Sequence, residues 1–217
     1  MSDTRKQTVL LVDGYSLIFR GFHALPLLTA GNGAYTNAIH GVFSMLLKAL
    51  GDYRPDYLCV MMDMHAPTFR HTLYEAYKGT RKPMPEELRP QLPLARELLK
   101  AMHITICELE GYEADDILGT ASLICEKSGW KCTVVTGDKD SLQLISDDTT
   151  VCNVKTRMGR TETIMYTPSR FEEEYGFAPP LMVDLKALMG DTSDNIPGVP
   201  GVGEKTAMEL VQRFGAI

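Results

Sequence analysis

The chain has 217 residues, 44% hydrophobic, 23% charged and 8% aromatic, enough apolar side chain to bury one substantial α/β domain with a small appendage. No apolar run approaches the roughly 20 residues that cross a bilayer, and Asp13 breaks the opening MSDTRKQTVLLVDG before a signal-peptide core can form, so an intracellular, cytoplasmic protein is expected. The 28 acidic residues outnumber the 22 basic ones, and the net charge of −6 excludes a coat that holds nucleic acid by bulk positive charge, but not a protein whose acids bind cations.

In chain order, Thr8–Val12 reads as a strand ending at Asp13, and a first helix follows that carries Arg20 and His23. Ala38–Leu50 places Ile39, Val42, Phe43, Leu46, Leu47 and Leu50 at helical spacing. Tyr57–Met62 is a second strand, ending at Asp63. The basic, proline-rich Tyr77–Pro90 reads as a mobile loop, overlapping a helix expected over Glu86–Met102 despite Pro90 and Pro93. A short strand at Ile104–Glu108, a helix over Glu113–Lys127 stopped near Gly129, and a strand at Lys131–Thr136 complete the alternation. That order predicts an α/β fold, a mostly parallel central sheet with helices on both faces. From Thr167 the pattern is helical only: Pro168–Tyr175, Pro180–Met189 and Glu204–Phe214. Two units are expected, residues 1–166 and a helical subdomain over 167–217 that is cut short at its C-terminus. The five cysteines include no C-x-x-C pair and read as buried free thiols.

Ligands of parallel sheets bind outside the carboxyl ends of the strands, and three expected strands end at or beside Asp13, Asp63 and Asp138. A single aspartate there also suits a turn or a helix cap; three together are harder to assign to caps. Glu113, Asp115 and Asp116 open the next helix, where acids favour the dipole, yet all three cannot cap one N-terminus, and adjacent carboxylates repel unless a cation lies among them. Asp138 and Asp140 lie two apart, Asp191 and Asp194 three apart in a polar turn. An all-oxygen set, with no H-x-x-x-H spacing among the histidines, points to Mg2+ or Mn2+ rather than zinc. So many acids fit two ions about 3.5–4 Å apart, the arrangement used for in-line phosphoryl displacement.

Five segments in this order, LVDGYSLIFRGFHAL, APTFRHTLYEAYKGTR, GYEADDILGTAS, VVTGDKDSLQLIS and GDTSDNIPGVPGVGEKTA, resemble the 5′-nuclease domain at the N-terminus of bacterial DNA polymerase I, in the flap endonuclease superfamily. The resemblance runs from about Val9 to the chain end. It implies a PIN-like, Rossmann-like nuclease core in residues 1–166, with a helical arch or clamp around 67–100, and a helix–three-turn–helix in 167–217. Asp13, Asp63, Glu113, Asp115, Asp116, Asp138, Asp140, Asp191 and Asp194 would be metal-site carboxylates, with Asp115 and Asp116 central to catalysis and none of the nine substituted.

Basic residues Arg70, Lys78, Arg81 and Lys82 interleave with Phe69, Tyr74 and Tyr77, as where bases stack and phosphates are clamped. By the resemblance, Lys78 would stabilise transition-state charge, Arg81 grip the scissile phosphate and Tyr77 stack on a base, while Arg20 and Arg70 would also meet DNA. The run GVPGVGEKT is no P-loop, because Glu204 separates Gly203 from Lys205 and no strand is expected before it. It reads as a turn in which Gly198, Gly201 and Gly203 let backbone N–H groups face a phosphate at a helix N-terminus, next to Lys205 and Thr206. Its carbonyls could hold a K+ ion. The expected function is therefore a structure-specific 5′-3′ exonuclease or flap endonuclease acting on 5′-flap, nicked or gapped duplex DNA, as in Okazaki-fragment primer removal and repair. A monomer near the nucleoid is expected, linked to or working with a polymerase. The alternatives are a non-catalytic DNA-binding module and a PIN-type RNA nuclease.

Overall fold

Strand β1 (Thr8–Asp13) is an unbroken apolar run because both faces of its sheet are covered: Val9 and Leu11 enter one core cluster, Leu10 and Val12 the other. The computed structural model describes residues 5–157 and 160–217. β2 (Tyr57–Met61), β3 (Thr105–Cys107), β4 (Lys131–Thr136), β5 (Thr149–Arg157) and β6 (Arg160–Tyr166) complete a six-stranded sheet in the order β3-β2-β1-β4-β5-β6. The first five strands are parallel and β6 is antiparallel to β5. The direction of winding reverses between β1 and β4, which places a crevice at their carboxyl ends.

Helices α1 (Gly14–Ala24), α2 (Asn37–Tyr53) and α4 (Gln91–Ala101) cover one face, through Leu17, Ile18, Val42, Leu46, Leu92 and Leu99. A five-residue helix, α3 (Phe69–Leu73), precedes α4. The other face receives α5 (Ala114–Lys127), α6 (Pro168–Tyr175), α7 (Met182–Met189) and α8 (Glu204–Phe214). Leu118, Phe171, Leu185 and Val211 belong to one cluster, so the C-terminal helices share the core of the sheet.

The expected helices over Pro168–Tyr175 and Glu204–Phe214 and the strand over Lys131–Thr136 have the expected bounds. Two expectations need correction. The helix expected from Glu86 begins only at Gln91, after a turn over 86–90. Pro93 is tolerated because first-turn N–H groups have no partner within a helix. The segment expected to be a mobile loop from Tyr77 is tied to the C-terminal turn instead: Lys78 N–H donates to the Asp194 carbonyl (2.9 Å), and the Asn195 amide donates to the Ala76 carbonyl (2.7 Å). The sequence shows no sign of the β5–β6 pairing, and residues 158–159 lie outside the described ones.

All five cysteines are free. Cys125, Cys132 and Cys152 are buried, while Cys59 and Cys107 are half-buried and meet at 3.1 Å. No helix among the described residues is long and apolar enough to cross a membrane.

Candidate metal centre and nucleic-acid face

Parallel pairing in register sets Val12 beside both Val60 and Val135, so the residues that follow these three strands emerge at one sheet edge. Asp13 ends β1 and caps α1, its Oδ1 accepting the Ser16 N–H (3.0 Å) and its Oδ2 the Thr136 hydroxyl (2.7 Å). Asp63, two residues past β2, accepts the Ala114 N–H (2.8 Å) and so docks the start of α5. Asp138, two past β4, accepts the Asp140 N–H (2.9 Å). Asp115 lies on the first turn of α5, and among the described residues no protein donor reaches its carboxylate.

These four acids have no lysine or arginine ion pair among the described residues, and their electrostatics register the deficit. Burial, and then the charges of Asp63 and Asp138, push Asp13 up to about 6 despite its two hydrogen bonds. Burial, followed by repulsion from Asp13, Asp138, Asp63 and Asp140, raises Asp115 to about 8. Asp115 is nonetheless exposed to solvent, so repulsion by the neighbouring acids is the firmer cause. Hard oxygen donors that repel one another and have no counterion fit a divalent cation. Among the described residues no three such side chains yet converge tightly enough to enclose one ion.

The other five acids are held by protein cations. Glu113 and Asp116 form a reciprocal capping box at the start of α5, with Asp116 Oδ2 accepting the Glu113 N–H (2.9 Å). Two of the three acids here therefore cap the helix, and Asp115 is left over, in keeping with one N-terminus not taking all three as caps. The Arg70 guanidinium forks onto both Asp116 oxygens (2.7 and 2.8 Å), and this pair holds Asp116 below the usual range against the opposing effect of burial. Lys78 Nζ donates to Glu113 Oε1 (2.7 Å) and Arg81 Nη2 to Asp194 Oδ1 (2.6 Å). Lys186 Nζ bridges Asp140 and Asp191 at 2.7 Å each. Burial raises Asp191, but the Lys186 ammonium and the Ser193 hydroxyl outweigh it and hold the acid at about 2.

Tyr77 differs most from expectation. Its side chain is 5% exposed, with the His71 ring packed edge-to-face with it, Lys78 Nζ over its ring (4.9 Å to the centroid) and its hydroxyl shared between Glu113 Oε2 (2.9 Å) and Asp194 Oδ2 (3.0 Å). A ring buried and pinned in this way has no free face for a base; it joins the two halves of the acid cluster. Lys78 adopts φ +56°, a left-handed conformation that suits few non-glycine residues. Its backbone N–H and its ammonium each engage a different acidic segment, which is the compensation for that strain.

Arg20 lies across Gly137, donating to its carbonyl (3.0 Å), where any Cβ would come within 2.4 Å of the guanidinium. It is therefore fixed over the Asp138 turn, in a recess lined also by Phe19 and His23. In the glycine turn the roles divide. Gly198 packs backbone to backbone on Gly190, and a Cβ there would lie 2.3 Å from the Met189 carbonyl carbon. Gly201, at φ +82°, and Gly203, the N-cap of α8, face open space, and Lys205 and Thr206 are exposed on the first turn of α8. A two-residue strand, β8 (Ile196–Pro197), does precede the turn, paired antiparallel with β7 (Gly190–Asp191), unlike the long strand before a P-loop.

Residues missed by sequence reasoning are Thr136, Arg96 (to the Asp63 carbonyl, 3.2 Å) and Lys186. A lone lysine within the apolar run of α7, one turn before the 191–194 acids, was the available signal for Lys186. Arg70, Tyr77, Lys186 and the acids Glu113, Asp115, Asp116, Asp140, Asp191 and Asp194 line one cleft of about 640 Å³. A separate apolar cavity of about 230 Å³, near Met45, Cys152 and Val154, holds none of the nine acids.

The family model described as the 5′-3′ exonuclease N-terminal resolvase-like domain matches residues 8–176, and that of the 5′-3′ exonuclease C-terminal SAM fold matches residues 177–217. DNA polymerase I of Bacillus subtilis is 49% identical over 99% of the chain, and that of Mycobacterium tuberculosis 42% identical over 99%. In each case the chain spans 24% of the length of the relative. Among solved structures, T5 5′-exonuclease with bound zinc superposes with a TM-score of 0.76 at 24% identity, over 97% of this chain and 76% of that one. The catalytic core of Rad2 in complex with DNA gives 0.59 at 19% identity, over 98% and 63%. At these identities the structures speak to the fold alone.

Proposed function

The chain belongs to the 5′-3′ exonuclease family, and we propose on that basis that it is a divalent-metal-dependent 5′-3′ exonuclease and flap endonuclease that cuts DNA phosphodiesters near single- to double-strand junctions. The observation that carries the reading is the quartet Asp13, Asp63, Asp115 and Asp138, brought to one sheet edge without an ion-paired lysine or arginine among the described residues and with two members raised to about 6 and about 8. Divalent ions, Mg2+ with Mn2+ as substitute, would supply a bound water of lowered pKa and positive charge to balance that developing on the phosphate. On this reading the quartet holds one ion, and Glu113, Asp116, Asp140, Asp191 and Asp194 serve a second.

Lys78 and Arg81, now on Glu113 and Asp194, would turn to the phosphate as it enters the cleft: Lys78 to stabilise transition-state charge and Arg81 to grip the scissile group. Arg20 and Arg70 would hold the flanking backbone. Residues 1–166 carry seven of the nine acids, and residues 167–217 add Asp191 and Asp194 to the second ion. Residues 167–217 grip duplex backbone, with the open N–H groups of Gly201 and Gly203 and the side chains of Lys205 and Thr206 meeting phosphate without reading sequence, and with K+ on the turn carbonyls. The substrates are 5′-flap, nicked and gapped duplexes, and the roles are Okazaki primer removal and repair. We further propose a monomer working in the cytoplasm at the nucleoid, linked to or beside a polymerase.

The test is cleavage of a 5′-flap duplex with Mg2+ and with EDTA. Asp115→Asn should lower Mg2+-dependent cleavage at least about a hundredfold while DNA binding persists. Undiminished cleavage would overturn the metal assignment, and no cleavage by the unmodified chain would favour a binding module.

A further inference from the structure

The nine acids divide into two groups. Asp13, Asp63, Asp115 and Asp138 have no protein ammonium or guanidinium within ion-pair reach among the described residues, whereas Asp140 and Asp191 share one. We propose that Lys186 is a built-in cation that occupies the Asp140–Asp191 pair in place of a divalent ion, and that it must be displaced before the pair can take one. This rests on the nuclease reading above but goes beyond it.

The two carboxylates come from distant segments, the 3₁₀ turn after β4 and the turn after α7, and they face each other across Lys186 Nζ at 2.7 Å each. Asp191 has no spare capacity on its other side. Its Oδ1 already accepts the Ser193 N–H (2.8 Å) and hydroxyl (2.6 Å), so Oδ2, where the ammonium sits, is the oxygen left for a cation. A divalent ion brought between Asp140 and Asp191 would stand against the ammonium already there, so the two cations compete for the pair. Lys186 itself is only partly exposed and lines the same cleft as the acids, so the ammonium, once displaced, faces the space where a phosphate would lie. Entry of DNA and of the second ion should therefore favour each other, since the phosphate draws away the ion's competitor. Lys186 is thus a positioning residue, setting the order in which the two ions bind.

The experiment titrates Mn2+ into the full chain without DNA, counting bound ions by electron paramagnetic resonance and calorimetry. The original chain, Lys186→Met and Lys139→Met are compared. Lys139 sits between Asp138 and Asp140 but makes no ion pair among the described residues, so its loss removes the same charge without opening a ligand pair. The original chain should bind one ion tightly and one weakly. Lys186→Met should tighten the weaker ion about tenfold or more, and Lys139→Met less than about threefold. An unchanged or loosened second ion in Lys186→Met overturns the proposal, as does an equal gain in Lys139→Met. If Lys186→Met melts at the assay temperature, Lys186→Gln, which keeps length and polarity, is held to the same comparison. No ion bound by any of the chains would overturn the nuclease reading with it. Two ions of equal affinity in both the original chain and Lys186→Met would overturn this inference alone.

Discussion

Replacing Tyr77 with phenylalanine separates the base-stacking role that the resemblance implies from the joining role its hydroxyl has in the fold. A phenylalanine keeps the ring, so a base-stacking residue would lose little, whereas a residue that joins Glu113 and Asp194 through its hydroxyl would lose both bonds. Hydrogen bonds to charged groups contribute about 1.5–3 kcal/mol each. The loss should fall below their sum, because Glu113 keeps Lys78 and Asp194 keeps Arg81; about 2 kcal/mol is a reasonable net figure. For a chain of this length 1 kcal/mol moves the melting temperature by about 2–4 °C, so Tyr77→Phe should melt about 4–8 °C lower. Thermal unfolding followed by circular dichroism in EDTA measures this directly. A melting temperature within about 1 °C of the original, together with lost DNA affinity in Tyr77→Leu, would refute the joining role and restore the stacking one.

The raised acids predict an unusual pH dependence. Asp13 and Asp115 titrate at about 6 and about 8 in the folded chain but near 3.8 when unfolded, so between those values the folded state binds more protons. In EDTA, stability should therefore fall as pH rises from about 5 through about 8, while Asp116 and Asp191, held low, contribute stability that is lost only as pH falls below about 4. Added Mg2+ should raise the melting temperature more at pH 8.5 than at pH 5, and a flat or rising curve in EDTA over this window would count against the crowding of the quartet. In the glycine turn, Gly198→Ala should destabilise by about 1–3 kcal/mol through overlap with Met189 and Gly190. Gly203→Ala, at φ −91° with open space around it, should melt close to the original chain, and equal melting of the two variants would undo the division of roles between these glycines.

What could be read in the sequence was whatever depends on local order along the chain. The apolar run ending at Asp13, the helical spacing of α2 and α5, and the proline and glycine punctuation of the C-terminal helices each state an element without reference to its neighbours. Parallel strands joined by helices then bring their carboxyl ends to one edge, so the grouping of Asp13, Asp63 and Asp138 followed from topology alone. The hairpin β5–β6 escaped because its residues alternate apolar and polar only in part, and its pairing is with strands rather than with a periodic pattern of its own. The pairings of the charges were decided only in three dimensions. Glu113 and Asp116 cap a helix, Arg70, Lys78 and Arg81 sit on acids up to 113 residues away, and Tyr77 is buried between two of them. A carboxylate looks the same in sequence whether it has a counterion or lacks one, because ion pairing depends on a few ångströms of side-chain separation between distant segments. For that reason the sequence alone could list nine acids, and the folded chain was needed to separate the four that have no ion pair among the described residues from the five that already hold one.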